Sequence, residues 1–251
     1  MPFRLGTTSY ILPDGILPNV QYLANRVDDV ELLFFEVCAD GSDLPGTAEV
    51  RQLKILAAEG NLSYTVHLPL DLRFSSDENL EPSLGKAQRV IEACRQLDPW
   101  AYVLHLNESE ASLEHGGLAR IARALNQLGR SAGSTKLLAV ENLPGQPTGT
   151  LEAVTAKVPV SRCLDIGHMW AEGVDPLPQL ERLLSDTRVI HLHGVEGRDH
   201  KALDSVPPEQ LERVMRTIIA RGYSGVVTLE VFDERDLERS IKALGQALEA
   251  I

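Results

Sequence analysis

The chain has 251 residues, 43% hydrophobic and 24% charged, which is enough for a sizeable core and ordinary for a globular protein. Its formal charge of −12, with no Lys/Arg run beyond isolated pairs, argues against a duplex-binding surface, which needs basic side chains to displace the counterions of the phosphate backbone. No apolar run approaches the ~18 residues of a membrane span, and the opening MPFRLGTTSYILPDG lacks the long apolar segment of a secretory signal. A cytoplasmic location, with no membrane partner and no nucleic-acid partner, is expected.

In chain order, short β-rich runs alternate with helical patterns. Phe3–Ser9 reads as a strand, Leu17–Arg26 as a helix, and Val30–Val37 as the second strand. Thr47–Glu59 is helical and stops at Gly60, a suitable C-terminal cap. The strand Leu62–Leu68 precedes Pro82–Leu97, whose apolar residues recur with a helical period until Asp98-Pro99. Strand Ala101–Asn107, helix Leu113–Leu128, strand Lys136–Asn142 and helix Thr150–Lys157 follow. The remaining elements are strand Val160–Ile166, helix Pro176–Leu184, strand Arg188–Gly194, helix Pro207–Ala220, strand Gly225–Phe232 and helix Glu234–Leu248. Cys38, Cys94 and Cys163 lie far apart with no CxxC spacing, and read as reduced thiols, not as a disulfide set or a Cys-rich zinc site. Alternation allows an open doubly wound sheet or a closed barrel. Eight strands and eight helices in this length favour one α/β domain over residues 1–251, a (β/α)8 TIM barrel.

A barrel of this kind builds its site from the C-terminal ends of its strands. Polar residues stand at seven of these ends: Glu36 in LLFFEV, His67 in YTVHLP, His105 in YVLHLN, Glu141 in LLAVEN, Asp165 and His168 in CLDIGH, His191 and His193 in VIHLHG, and Glu230 in VTLEV. His200 follows in GRDHKAL. Any one of them could be a hydrogen-bonded core residue or a helix cap. Brought together around one mouth, the carboxylates would repel one another and be costly to desolvate. Divalent cations relieve that cost, and imidazole with carboxylate suits zinc or manganese, or cobalt or iron. So many donors exceed the four to six positions around one ion, which implies two or three ions.

At these residues the chain resembles the xylose-isomerase-like barrel superfamily, which contains sugar epimerases, sugar isomerases and the apurinic endonuclease type 2 enzymes. The epimerase-like pattern, one ion held by Glu, Asp, His and Glu from the fifth to eighth strands, is matched by Glu141, Asp165, His191 and Glu230. The endonuclease-like pattern adds a second ion through His67 and His105, bridged by Glu141, and a third through the His of DxxH, here His168, and a later Asp-x-His. His200 fits that last motif, but Arg198 stands where its Asp would be, with Asp199 one place late. The segment LGTTSYILPDGILPN, followed by VDDVELLFFEV, is also similar to the cobamide-remodelling phosphodiesterases of the same superfamily. The resemblance implies a metal-dependent hydrolase cutting a small-molecule phosphodiester, such as the nucleotide loop of a cobamide. A metal-dependent sugar isomerase or epimerase, and an apurinic-endonuclease-like repair enzyme, are the alternatives. Glu141 and Glu230 would be the catalytic carboxylates; Glu36, His193, Tyr10 and Trp170 are the expected substrate contacts.

Overall fold

Eight parallel strands close on themselves in sequence order, each hydrogen-bonded to the next and the last to the first. The computed structural model describes residues 1–38, 41, 43–109, 113, 116–146 and 149–251. The strands are β1 (Arg4–Thr8), β2 (Asp29–Leu33), β3 (Ser63–His67), β4 (Tyr102–Leu104), β5 (Leu138–Glu141), β6 (Ser161–Asp165), β7 (Thr187–Leu192) and β8 (Val226–Leu229). Nine α-helices lie among the described residues: α1 (Ile16–Leu23), α2 (Thr47–Gly60), α3 (Asp77–Cys94), α4 (Gly117–Ala132), α5 (Thr150–Thr155), α6 (Ile166–Ala171), α7 (Leu177–Leu183), α8 (Pro208–Ala220) and α9 (Glu234–Glu249). The expected (β/α)8 barrel is therefore the fold.

Strand residues such as Val30, Leu32, Val66, Leu104, Val140, Ile190 and Val227 share one buried cluster with Leu84, Val90, Ile121, Leu125, Val214 and Ile218 of the helices. Each such side chain contributes roughly 1.5–3 kcal/mol when withdrawn from water. Inside the barrel the two walls differ. Ala101, Val103, Ala139, Cys163 and Val189 form a small apolar cluster along β4–β7. Across β8, β1, β2 and β3 the buried side chains include Thr8, Asp29, Glu31, Thr65 and Thr228.

Most helices begin and end within a few residues of the expected limits. Three differences have local causes. α3 starts at Asp77 instead of Pro82, because Ser76 caps it by accepting from Asn79 N–H and Asp77 and Glu78 complement the helix dipole, so the helix runs through Pro82. Helix α6 is additional to the expected elements; Asp165 caps it, its Oδ1 accepting the His168 N–H at 2.6 Å. Gly60 lies inside α2, and the left-handed cap is Asn61 (φ 49°). A Cβ on Gly60 would come within 2.9 Å of the Ala24 carbonyl oxygen, so that glycine serves close packing. The expected helix from Leu113 begins at Gly117, and residues 110–112, 114 and 115 lie outside the described part. The strands are shorter than the apolar runs suggest: β2 ends at Leu33 and β4 at Leu104.

Candidate metal centre

Glu141, the last residue of β5, is buried at the centre of the mouth, and its two oxygens face opposite ways. Oε2 lies 3.2 Å from His105 Nε2 and 3.4 Å from His67 Nε2. Oε1 lies 3.6 Å from both His191 Nδ1 and His168 Nδ1. His67 closes β3, with Nδ1 placed to donate to the Leu68 carbonyl at 2.8 Å, which leaves the Nε2 lone pair towards Glu141. His105 is just past β4 and keeps 15% side-chain exposure, while His67 beside it is buried.

On the other side, His191 Nδ1 lies 3.2 Å from Glu230 Oε2 and 3.8 Å from Asp165 Oδ2. Asn142 ties the ends of β5 and β6, its side chain accepting from Asp165 N–H and donating to the Asp165 carbonyl. Asp165 serves twice: Oδ1 caps α6, while Oδ2 has no hydrogen-bond partner. Because α6 starts at once, His168 is carried back towards the mouth beside His193 and His200. This approach needs Gly167, since a Cβ there would fall 2.2 Å from the His193 ring. His193 Nδ1 lies between the Gly194 carbonyl and the His200 amide, and its Nε2 is 3.3 Å from Asp165 Oδ1. His200 adopts a left-handed backbone (φ 55°), a conformation that costs a non-glycine residue about 1 kcal/mol or more. It thereby reaches Glu230 with Nε2 at 3.3 Å while Nδ1 meets Asp199 at 3.2 Å.

Three donor groups result, each with one ligand-type atom per residue and all atoms within 4.8 Å: His67, His105 and Glu141; Glu141, Asp165, His191 and Glu230; His168, His193 and His200. Cys163 also lies within reach of Glu141 and His191, but burial pushes its thiol well above the usual range, so it stays neutral there. The donor atoms fit divalent cations. Asp165 Oδ2, His191 Nδ1 and Glu230 Oε2 are buried and have no hydrogen-bond partner, yet face one another. His191 Nδ1 stands 3.2 Å from Glu230 Oε2 and 3.8 Å from Asp165 Oδ2, on either side of the ~3.5 Å edge set by donors about 2.0–2.2 Å from a tetrahedral ion.

The electrostatics agree. Burial would raise Glu141, but the charges of His105 and His191 hold it well below the usual carboxylate range. Glu230 is held down in the same way by His191 and His200. Burial works against the charge on His191, and the carboxylates Glu31, Glu230 and Glu141 overcome it, so its pKa is held well above 6.5. His200, against its burial, is raised to about 9 by Glu230 and Asp199. In the metal-free protein, protons take up the positive charge that the carboxylates demand.

The structure thus brings together His67, His105, Glu141, Asp165, His168, His191, His193, His200 and Glu230. It does not bring Glu36 in: β2 ends at Leu33, and Glu36 is exposed three residues beyond. Tyr10, 55% exposed, lines a cleft of about 340 Å³ with Asp14, Phe34 and Asp43. Trp170 packs half-buried against the core at a separate cleft with Pro176, Gln210 and Arg213, which contains none of the donors. The sequence pattern does not point to some further residues. Glu31 in β2 is fully buried with Oε2 3.0 Å from His191 Nε2. The alternation Asp29-Val30-Glu31-Leu32 is the available signal, hidden by the apolar run that follows it. Phe35 stands edge-on to His67, Phe232 stacks near His200, and the two rings meet edge-to-face at 6.1 Å.

A parallel (β/α)8 barrel with a polyhistidine–carboxylate mouth defines a class, and residues 26–251 match the family model described as xylose isomerase-like TIM barrel. The chain belongs to this family. Over 144 residues it is 27% identical to proteins named "Probable endonuclease 4" in two strains of Chloroflexus aurantiacus, a match covering 49% of this chain and 50% of theirs. The chain thus spans about half the length of the curated relatives it matches. Among solved structures it is similar to a D-tagatose 3-epimerase-like protein (TM-score 0.77, 18% identity, 99% of this chain and 98% of that one). It is also similar to endonuclease IV from Thermus thermophilus (0.75, 22%, 99% and 100%) and a 3-keto-D-glucoside 4-epimerase from E. coli (0.72, 16%, 98% and 99%). At these identities the likeness establishes the fold.

Proposed function

We propose that the chain is a metal-dependent hydrolase of a small-molecule phosphodiester. The observation that carries this reading is the two-sided Glu141 carboxylate, with Oε2 towards His67 and His105 and Oε1 towards His168 and His191. A single-ion isomerase has no use for the first group; a bridging carboxylate between two donor groups suits phosphoester cleavage. Divalent cations held there supply an activated water and neutralise charge on the phosphoryl oxygens. Zinc and manganese fit the donor set. Glu141 holds the two groups in one geometry. Glu230, between His191 and His200, and Asp165 complete the second group. His168, His193 and His200 offer a third. Phe35 and Phe232 wall the mouth beside His67 and His200, so that a substrate meets apolar rings as well as donors.

The substrate class proposed is a cobamide cut at its nucleotide-loop phosphodiester. The likeness of residues 5–19 and 27–37 to cobamide-remodelling phosphodiesterases supports it, and the charge of −12 weighs against duplex DNA. The test incubates metal-replete protein with adenosylcobalamin, an abasic-site duplex, bis(p-nitrophenyl) phosphate and a ketohexose panel. Release of a riboside and cobinamide phosphate is the expected result. Ketohexose turnover with one metal equivalent per chain would instead establish the epimerase, and salt-sensitive nicking the repair enzyme.

A further inference from the structure

We infer that Glu31 is a positioning residue, a buried carboxylate that fixes the His191 ring with its proton on Nε2 and its Nδ1 lone pair aimed at Glu141, Asp165 and Glu230. The inference deepens the metal reading proposed above and rests on it for its consequence, though not for its geometry.

The side chain is out of place by packing criteria. Glu31 is fully buried between Val30 and Leu32, whose own side chains join the apolar cluster on the outer face of the barrel. A buried carboxylate loses several kcal/mol of hydration, which only well-placed partners offset. Oε1 has no hydrogen-bond partner, and Oε2 has His191 Nε2 at 3.0 Å. Among the described residues, no Lys or Arg forms an ion pair with it. An aliphatic side chain would serve the core better, so the effect of Glu31 on His191 is the remaining reason for its presence.

That effect is directional. Imidazole that donates from Nε2 must present a lone pair at Nδ1 when neutral, and Nδ1 is the atom without a hydrogen-bond partner that faces the carboxylates of the second donor group. The backbone register supports the arrangement: Glu31 pairs with Thr8 of β1 and Thr65 of β3, both fully buried, while His191 pairs with Thr228 of β8. A carboxylate behind a ligand imidazole also strengthens it as a donor, and removing such a partner costs about 10–100-fold in metal affinity. His67 gains its orientation from the Leu68 carbonyl, a neutral group, so the two sides of Glu141 differ in how their imidazoles are held.

The experiment compares wild type with Glu31→Gln, which keeps size and removes charge. Chelator competition with cobalt(II) should show the ion associated with His191 weakened by about 10–100-fold in Glu31→Gln, while the ion at His67 and His105, followed through the His105→Ala difference spectrum, is unchanged. Equal cobalt affinity in both proteins would overturn the inference. Long-range ¹H–¹⁵N correlations on metal-free wild type, at a pH where imidazole is neutral, should show the His191 proton on Nε2. Finding it on Nδ1 would overturn the inference even if Glu31→Gln failed to fold. A wild type that binds no cobalt would refute the metal reading instead, and the ¹⁵N measurement would still decide the role of Glu31.

Discussion

The two ends of the polar cluster are built from different chemistry. Around Glu141, Asp165, His191 and Glu230 three carboxylates surround one imidazole, and all four side chains are buried. At His168, His193 and His200 three imidazoles meet, with Asp165 and Glu230 only at the edges. Negative charge crowded in a low-dielectric site demands a cation at any pH above the carboxylate range. Imidazoles make no such demand and instead let a proton compete with a metal. The first end is therefore expected to hold its ion tightly, and the second in a pH-dependent way.

The comparison breaks most completely at Glu141, because both of its oxygens are used. Glu141→Gln should remove two metal equivalents by elemental analysis and lower phosphodiester turnover by about 10³-fold or more. Retention of two equivalents would mean that the carboxylate does not bridge. His105→Ala acts on one side alone. Turnover should fall to background and one equivalent should be lost, with an unchanged circular dichroism spectrum because this side chain is partly exposed and outside the strand. Near-normal hydrolysis would return the chain to the single-ion alternative.

A smaller effect is expected at the imidazole end. His193→Ala should lose one weakly held equivalent and lower turnover by about 10–100-fold, leaving the ions at Glu141 in place. The pH dependence sharpens the contrast. His200, raised to about 9 by Glu230 and Asp199, is protonated at neutral pH without metal. Metal binding must expel that proton, so calorimetric affinity at this end should rise from pH 7 to pH 9, with proton release, and then level off. The metal-free protein follows the opposite sign. A raised folded-state pKa contributes stability that is fully present below the unfolded value of about 6.5 and is lost as pH rises towards 9, so urea midpoints without metal should fall over that window. Glu36→Ala, at an exposed position beyond β2, is expected to leave metal content and turnover unchanged.

Much of this centre is legible in the sequence because a strand ends where its apolar run meets a polar residue. His67, Glu141, Asp165, His191 and Glu230 each stand at such a junction, and a closed barrel has one mouth at which they can meet. Glu36 follows the same rule and is nonetheless exposed, three residues past the end of β2 and in none of the donor groups. Glu31 is hidden for the complementary reason: the Leu-Leu-Phe-Phe run after it suggests a longer strand, and no local pattern shows that an acid in mid-strand faces an imidazole 160 residues later.

Alternation of β-rich and helical segments, with their eight-fold count, determined the barrel and which strand ends could supply donors, since hydrophobic periodicity and chain length are local properties. The tertiary structure decided how the donors are shared. Glu141 divides its oxygens between two groups, Asp165 divides its own between a helix cap and the cluster, and His193 joins His168 and His200 only because Gly167 leaves room for its ring. Those assignments depend on which oxygen or ring nitrogen points where, which is set by strand tilt and by contacts between residues far apart in the chain. Spacing along the sequence carries no such directions.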